Sequence, residues 1–159
     1  MNISIICVGR LKERYWEDAC REYSKRLNGI CSFNIIETDE ERISDSPHSA
    51  DIRKTLEKEG KRLLAAVPKG AAIIAMCIEG RQKSSEELAE QIEELALSGV
   101  SSIAFIIGGS WGLSEEVKNK ARLKLSMSEM TFPHQLARVM LCEQIYRSFQ
   151  INSGTRYHK

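Results

Sequence analysis

The chain has 159 residues, of which 42% are hydrophobic and 28% are charged. This length suits one compact domain whose core is large enough to fold without a disulfide or a metal, and the composition excludes an intrinsically disordered chain. The 23 Lys and Arg residues nearly balance the 22 Asp and Glu residues, which excludes a protein that holds nucleic acid by its overall charge alone. We therefore expect a single domain over residues 1–159.

The cysteines and the apolar runs indicate the setting in which the protein works. The five cysteines (Cys7, Cys20, Cys31, Cys77 and Cys142) include no Cys-x-x-Cys pair and stand among apolar residues. This pattern favours reduced, buried thiols over a zinc site or a disulfide framework. No apolar run approaches the roughly 18 residues of a membrane span, and residues 1–9 predict a first strand rather than a signal peptide. We expect a cytoplasmic protein that binds neither a membrane nor a metal.

The first half of the chain alternates between strand-like and helix-like segments. Residues 3–8 and 33–36 are short apolar runs that predict strands. Between them, apolar residues at helical spacing predict a helix that ends at Asn28 and Gly29. After an acidic loop, the apolar positions from 52 to 64 predict a second, amphipathic helix.

The second half continues the alternation with more apolar strands. Residues 71–78 and 103–107 are nearly unbroken apolar runs, typical of strands buried on both faces of a parallel sheet. The remaining predicted elements are a helix begun by a capping box at Ser84 and Glu87, a helix capped by Ser114, a strand over 123–127 and a helix over 134–149. Strand and helix thus alternate five times, which predicts an α/β fold with a mostly parallel sheet and helices on both faces.

The last predicted helix carries four consecutive apolar residues, Val139, Met140, Leu141 and Cys142. A helix that is apolar nearly all round must bury two sides. Two interpretations fit: one side faces the core and the other a second subunit, or the helix lies between other helices of the same chain. We favour the subunit interface.

Three loops leave the carboxyl ends of predicted strands, where open parallel sheets gather their ligands. They cover residues 76–80, 108–112 and 127–134. The loop Gly108-Gly109-Ser110-Trp111-Gly112 is not the Gly-x-Gly-x-x-Gly dinucleotide fingerprint, and no Walker lysine follows it. An ordinary tight turn and a cofactor loop both fit this loop, whereas a phosphate cradle does not.

Positive charge concentrates at the C-terminal end of the chain. From residue 131 onward the bases are Arg138, Arg147, Arg156 and Lys159, and the single acid is Glu143. Aromatic residues lie between these bases, and arginines beside aromatic rings suit phosphates and unpaired nucleobases. A solvated helix face followed by a frayed tail explains the same pattern.

Four motifs together resemble a known family. They are Val8-Gly9-Arg10-Leu11-Lys12-Glu13, Phe105-Ile106-Ile107-Gly108-Gly109-Ser110-x-Gly112-Leu113, Met130-Thr131-Phe132-Pro133-His134-Gln135 and the terminal Tyr157-His158-Lys159. In this order and spacing they resemble the ribosomal RNA large-subunit methyltransferase H family of SPOUT-class methyltransferases, and the resemblance spans the whole chain.

The resemblance implies both a fold and a reaction. The implied fold is a SPOUT-like α/β fold whose C-terminal part threads into a trefoil knot, and the implied assembly is a homodimer packed through that knot. The implied cofactor is S-adenosylmethionine. The implied substrate is a pseudouridine in the large-subunit (23S) ribosomal RNA of the assembled ribosome, methylated on N3.

The resemblance also implies the site residues. The cofactor pocket would be formed by Met76, Gly108, Met127, Ser128, Glu129, Met130, Thr131 and Phe132. The substrate side would be formed by His134, Arg138, Arg156, Tyr157, His158 and Lys159, the last three across the dimer. Arg138, Tyr157 and His158 are the catalytic candidates, and we expect Tyr157 or His158 to take the proton from the uracil ring. The chain departs from the family in the run Ser153-Gly154-Thr155-Arg156, where an Arg-Gly-Glu-Pro-like sequence is usual.

Two other classes of protein stay open at this point. One is a ribosome-associated binding module that has the same fold and no activity. The other is a small α/β enzyme that uses a nucleotide cofactor, since the glycine loop follows a buried strand.

Overall fold

Ten elements alternate strictly between strand and helix in the computed structural model, which describes residues 1–155 and 157. The strands are β1 (Asn2–Val8), β2 (Ser32–Thr38), β3 (Ala72–Gln82), β4 (Ser102–Ile107) and β5 (Leu123–Ser126). The helices are α1 (Arg14–Asn28), α2 (Ser49–Ala65), α3 (Ser85–Leu97), α4 (Glu115–Lys120) and α5 (His134–Asn152). The predicted order of elements is confirmed, and β3 is four residues longer at its end than its apolar run.

The five strands form one sheet in the order β2-β1-β4-β3-β5, and every pair of neighbouring strands is parallel. Because successive strand residues point to opposite faces, β1 sends Ile3, Ile5 and Cys7 into one core and Ile6 and Val8 into the other. The first core contains α1, α3 and α5, and the second contains α2 and α4. Helices therefore cover both faces, as the unbroken apolar strands predicted.

Two helix starts follow the predicted capping chemistry. The Ser84 hydroxyl accepts a hydrogen bond from the Glu87 amide at 3.1 Å, and the Glu87 carboxylate accepts one from the Ser84 amide at 2.7 Å. The Ser114 hydroxyl accepts from the Val117 amide at 3.4 Å. Each bond satisfies an amide that the first helical turn leaves without a partner.

The last helix, α5, packs between α1 and α3 on the face of the larger core. Leu141 and Cys142 are buried within the single chain, whereas Val139 and Met140 are half-buried. Packing on two helices accounts for much of the apolar surface of α5, as the second interpretation of its sequence expected. The subunit interface that we favoured stays a prediction.

The cysteines are all free, and Cys7, Cys20 and Cys142 are buried. Burial raises the pKa of the Cys7 thiol to about 12, so this thiol is neutral at physiological pH. Within residues 1–155 and 157, no helix is long and apolar enough to cross a membrane, and no three acidic, histidine or cysteine side chains are grouped to hold a metal ion. The trefoil knot stays a prediction, because strand order and pairing do not specify how a chain is threaded.

Candidate functional site

A cleft of about 1320 Å³ opens at the carboxyl ends of β3, β4 and β5. The loops that follow these three strands line it together, as the sequence predicted from the topology of parallel sheets. Residues of α2 from Ser49 to Lys61 form a further wall, and the start of α5 contributes His134 and Ala137. The cleft is therefore built from four separate stretches of the described chain, within residues 49–61, 76–79, 107–118 and 125–137.

The glycine loop after β4 is a closed, tight turn. The Gly112 amide donates to the Gly109 carbonyl at 3.1 Å, which places Ser110 and Trp111 at the tip of the turn. Gly112 has a φ of +86°, a region that favours glycine. A Cβ on Gly108 would lie 2.0 Å from the Gly112 carbonyl oxygen, so no larger residue fits at position 108 without opening the turn.

The end of β3 bulges where it pairs with β5. Met76 and Arg81 both pair with Leu125, so residues 77–80 leave the ladder of hydrogen bonds between the strands. Gly80 lies against the Leu125 backbone, because a Cβ there would be only 2.6 Å from the Leu125 carbonyl carbon. The bulge brings Cys77, Ile78 and Glu79 to the cleft beside Met76.

The loop after β5 is held by its own serine side chains. The Ser126 hydroxyl donates to the Ser128 carbonyl at 3.0 Å, and the Ser128 hydroxyl accepts from the Met130 amide at 3.0 Å. Pro133 precedes α5 and its carbonyl accepts the Ala137 amide at 2.9 Å. These bonds shape the loop, so that its side chains surround the cleft without help from a ligand.

Most of the residues predicted for the cofactor pocket line this cleft. They are Met76, Gly108, Met127, Ser128, Met130, Thr131 and Phe132. Glu129 is the exception, since its side chain is exposed and does not line the cleft. Ser128 forms the local turn and Met130 re-enters the cleft, which leaves the residue between them pointing to solvent.

Three of the four acidic side chains that line the cleft form ion pairs with two lysines. Lys118 is only 15% exposed and contacts Glu79 at 2.6 Å and Glu115 at 2.7 Å. The hydrogen bonds to Glu115 and Glu79 raise the pKa of Lys118, and Lys118 lowers the pKa of Glu79. Glu116 pairs with Lys120 at 2.8 Å. This network closes the α4 side of the cleft.

His134 is the titratable group of the predicted substrate side that lines the cleft. It is half-buried at the first position of α5. Burial lowers its pKa, Arg138 and Lys12 lower it further, and Glu40 opposes them. The imidazole is therefore neutral at pH 7 and can accept a proton or a hydrogen bond.

Arg138, which we predicted on the substrate side, is buried within the single chain. Its side chain is 1% exposed, and its guanidinium donates to the Glu37 carboxylate at 2.6 Å and to the Gly9 carbonyl at 3.0 Å. It does not line the cleft. A buried cation needs such partners because desolvation is costly, and so Arg138 joins α5 to the ends of β1 and β2 instead of presenting its charge in the cleft.

The segment Val8-Gly9-Arg10-Leu11-Lys12-Glu13 has the same connecting role. The Gly9 carbonyl holds Arg138, and the Lys12 amide donates to the Gln135 side chain at 3.0 Å. Two of the four motifs behind the family resemblance therefore meet at the start of α5. This contact positions the helix that carries His134.

Tyr157 also lies away from the cleft in the described chain. Its ring packs edge-on against Tyr146 at 4.9 Å between centroids, and the Arg147 guanidinium lies 5.1 Å from its centre. Within one chain, therefore, Tyr157 docks on α5 beside Tyr23 of α1. The predicted substrate residues Arg156, His158 and Lys159 lie outside the described residues.

The sequence did not identify the α2 wall or Trp111 as parts of the site. Ile52 and Leu56 were interpreted only as the core-facing positions of an amphipathic helix, yet both line the cleft and are half-buried. Trp111 lies within the glycine loop, which was interpreted only as a tight turn or a backbone loop for a cofactor. An aromatic residue in a short loop between Gly109 and Gly112 was the signal that could have indicated Trp111 as part of the site.

Comparisons with known proteins agree on one family. The sequence profile of the family described as "Predicted SPOUT methyltransferase" matches residues 1–158. The chain is 54% identical to the "Ribosomal RNA large subunit methyltransferase H" of Clostridium novyi (strain NT) and 47% identical to that of Ligilactobacillus salivarius (strain UCC118), in each case over 100% of both chains. The fold resembles the crystal structure of a "Probable Methyltransferase" from Bordetella pertussis Tohama I, with a TM-score of 0.58, 11% identity and coverage of 93% of this chain and 96% of that one.

Proposed function

This chain belongs to the SPOUT methyltransferase family, and from that premise we propose that it methylates N3 of a pseudouridine in large-subunit ribosomal RNA with S-adenosylmethionine as the methyl donor. The observation that carries the proposal is the convergence of the three strand-end loops on one cleft. The full-length relatives named ribosomal RNA large subunit methyltransferase H support RNA of the large subunit as the substrate. The choice of pseudouridine N3 rests on the resemblance of the sequence motifs.

The residues of the cleft fit the chemistry of S-adenosylmethionine, which has no phosphate to bind. Gly108 lines the cleft, and the absence of a side chain there lets its turn fold back on Gly112. Apolar side chains of Met76, Met127 and Phe132 suit an adenine ring, and the Thr131 and Ser128 side chains offer hydrogen bonds. When bound, S-adenosylmethionine supplies a methyl group on a positively charged sulfur.

The protein's own contribution is to position the RNA and to receive a proton. The N3–H bond of pseudouridine must break so that the N3–methyl bond can form while the carbon–sulfur bond breaks and leaves a thioether. Alignment of the reacting atoms supplies much of such a rate enhancement. Neutral His134 in the cleft can hold the uracil edge, and Tyr157 or His158 of a second subunit can take the proton.

The active assembly in this proposal is a knotted homodimer in the cytoplasm, and residues 1–159 form its single domain. Two observations support the dimer. Residues 134–151 of α5 include no fully exposed side chain, and Tyr157 lies outside the cleft of its own chain. In this proposal, the tail of a second copy completes the substrate side of the cleft.

Methyl transfer to ribosomes tests the proposal directly. Ribosomes from cells that lack the modification are incubated with the protein and radiolabelled S-adenosylmethionine, and digested RNA is analysed for N3-methylated pseudouridine. Label at that position is the expected result. Binding of the cofactor without transfer would favour a binding module, and binding of ATP or NAD instead of S-adenosylmethionine would reject the proposal.

A further inference from the structure

Trp111 is a partly exposed indole on a closed turn, and no aromatic ring or cation in the described chain packs against its ring. Its side chain is 45% exposed at the tip of the Gly109–Gly112 turn. The other tryptophan, Trp16, pairs with Tyr15 at 4.8 Å, whereas no ring pair or cation–π contact among residues 1–155 and 157 involves Trp111. A planar ring held on a closed turn loses little conformational entropy when a second ring stacks on it.

The exposed apolar side chains of the molecule concentrate at the mouth of the cleft. Six large apolar side chains are exposed in the described chain, and three of them, Ile78, Trp111 and Met130, line the cleft. The volume of about 1320 Å³ also exceeds the roughly 300–1,000 Å³ of ordinary small-molecule pockets. The cleft can therefore accommodate a ligand larger than a single cofactor molecule, with an apolar mouth to receive it.

The charges of the α2 wall complement an RNA backbone. Arg53 and Lys61 line the cleft and take part in none of the ion pairs within 4 Å in the described part of the chain. On the α4 side, Glu79 and Glu115 share Lys118 and Glu116 pairs with Lys120, which leaves one net negative charge there, and Lys61 acts on Glu116 only at longer range. Glu57, which stands one turn from both cations, is the remaining acid and leaves the wall with one net positive charge.

We propose that Trp111 is the stacking platform for an unpaired nucleobase next to the target nucleotide, with Arg53 and Lys61 of α2 contacting the phosphates on either side of that base. Single-stranded RNA is recognised by stacking of splayed bases on aromatic rings, combined with cations that follow the backbone. The inference rests on the proposed function, because it assumes that the cleft receives RNA. It adds a specificity element that lies in a side chain of the glycine loop, and not in the loop's backbone.

The first test compares Trp111→Ala with Trp111→Phe, and uses Tyr15→Ala as the control because Tyr15 is an exposed aromatic residue outside the cleft. The KM for unmodified ribosomes should rise about 5- to 150-fold in Trp111→Ala, the range that loss of one base–aromatic stack produces. Trp111→Phe should recover most of this loss, and Tyr15→Ala should change the KM little. An unchanged KM in Trp111→Ala overturns the proposal.

The second test separates RNA from the cofactor and does not depend on activity. In a Trp16→Phe variant, Trp111 is the remaining tryptophan, and its fluorescence is followed during titration with S-adenosylmethionine. The cofactor should leave the fluorescence nearly unchanged, and its affinity by calorimetry should be equal in wild type and Trp111→Ala. Strong quenching by the cofactor, or a loss of cofactor affinity in Trp111→Ala, would assign Trp111 to the adenine and overturn the proposal.

Co-sedimentation with unmodified ribosomes measures binding without methyl transfer, so failure of the stacking role can be told apart from failure of the proposed reaction. Trp111→Ala should bind ribosomes more weakly than wild type and Tyr15→Ala, whether or not any methyl group is transferred. If wild type binds ribosomes without methylating them, the proposed function fails while the stacking role is still measured. Equal sedimentation of all three proteins rejects the stacking role, and a changed oligomeric state of Trp111→Ala would show that the indole contacts a second copy instead.

Discussion

The cleft and the C-terminal tail are the two parts of the molecule to which the sequence assigned chemistry, and they differ in how complete they are within one chain. Three strand-end loops, α2 and α5 surround the cleft and are held by hydrogen bonds of the same chain. Tyr157 of the tail instead packs on Tyr146 and Arg147, outside that cleft. In the proposed function, a single chain supplies the cofactor side of the site, and a second copy supplies the tail of the substrate side.

The largest effect should come from a side chain at position 108, which forces the glycine turn open. Gly108→Arg should abolish S-adenosylmethionine binding, and even Gly108→Ala should weaken it by 100-fold or more, roughly the effect of a misplaced binding loop. The reason is that any Cβ at this position collides with the Gly112 carbonyl 2.0 Å away. Calorimetry measures the affinity. Gly99→Asn is the control, because nothing lies within 4 Å of the Cβ position at Gly99 and Asn tolerates its φ of +86° better than other residues do. Undiminished affinity in Gly108→Ala would remove the turn from the site.

A mixing experiment tests whether the tail works across the dimer. Deleting residues 157–159 should spare cofactor binding and abolish methyl transfer, and Gly108→Arg should abolish both. Dissociated and reassociated together, the two inactive proteins should recover about a quarter of the wild-type rate, since half of the dimers are mixed and one of their two clefts is intact. No recovery despite mixed dimers would place the tail in its own chain's cleft, and full activity of the deletion would contradict its role.

Arg138 should contribute to the stability of the fold, because its charge is buried outside the cleft. Arg138→Met leaves the Glu37 carboxylate and the Gly9 carbonyl without their partner, and we expect a loss of about 2–3 kcal/mol in the free energy of unfolding, less than for a fully buried pair because Glu37 is 35% exposed. Urea denaturation measures it. Arg147→Met removes a side chain that is 29% exposed, against 1% for Arg138, and should cost less than about 1 kcal/mol. Equal stabilities of the two variants would contradict the buried role.

The smallest effect should come from His134, whose contribution depends on its neutral state. His134→Gln should lower kcat/KM for ribosomes about 3- to 10-fold, the value of one hydrogen bond. Burial holds the pKa of His134 below its ordinary value against the pull of Glu40, so its neutral form is present at pH 7 and is lost as the pH falls through the lowered pKa. The acidic limb of the pH–rate profile should therefore be weaker in His134→Gln than in wild type. An identical limb in both proteins would show that another group titrates there.

The sequence predicted the backbone of the site well and its side chains less well. Strand ends follow from apolar runs and glycines, and parallel topology brings such ends to one edge, so the loops 76–80, 108–112 and 127–134 could be grouped in advance. The burial of Arg138 could not be predicted, because a helical position between His134 and Val139 does not reveal which face is buried. The answer depended on Glu37 and Gly9, more than 100 residues away along the chain.

Local sequence by itself determined the ten elements, the caps at Ser84 and Ser114, the two-sided burial of the strands and, through its motifs, the family. These features depend on neighbours within a few residues, where side-chain period and turn chemistry decide the outcome. Tertiary structure decided that α2 walls the cleft, that Glu129 points away from it, that Arg138 is buried and that Trp111 stands exposed at the mouth. Each of these depends on contacts between segments far apart in the chain, and no local pattern encodes the packing that brings them together.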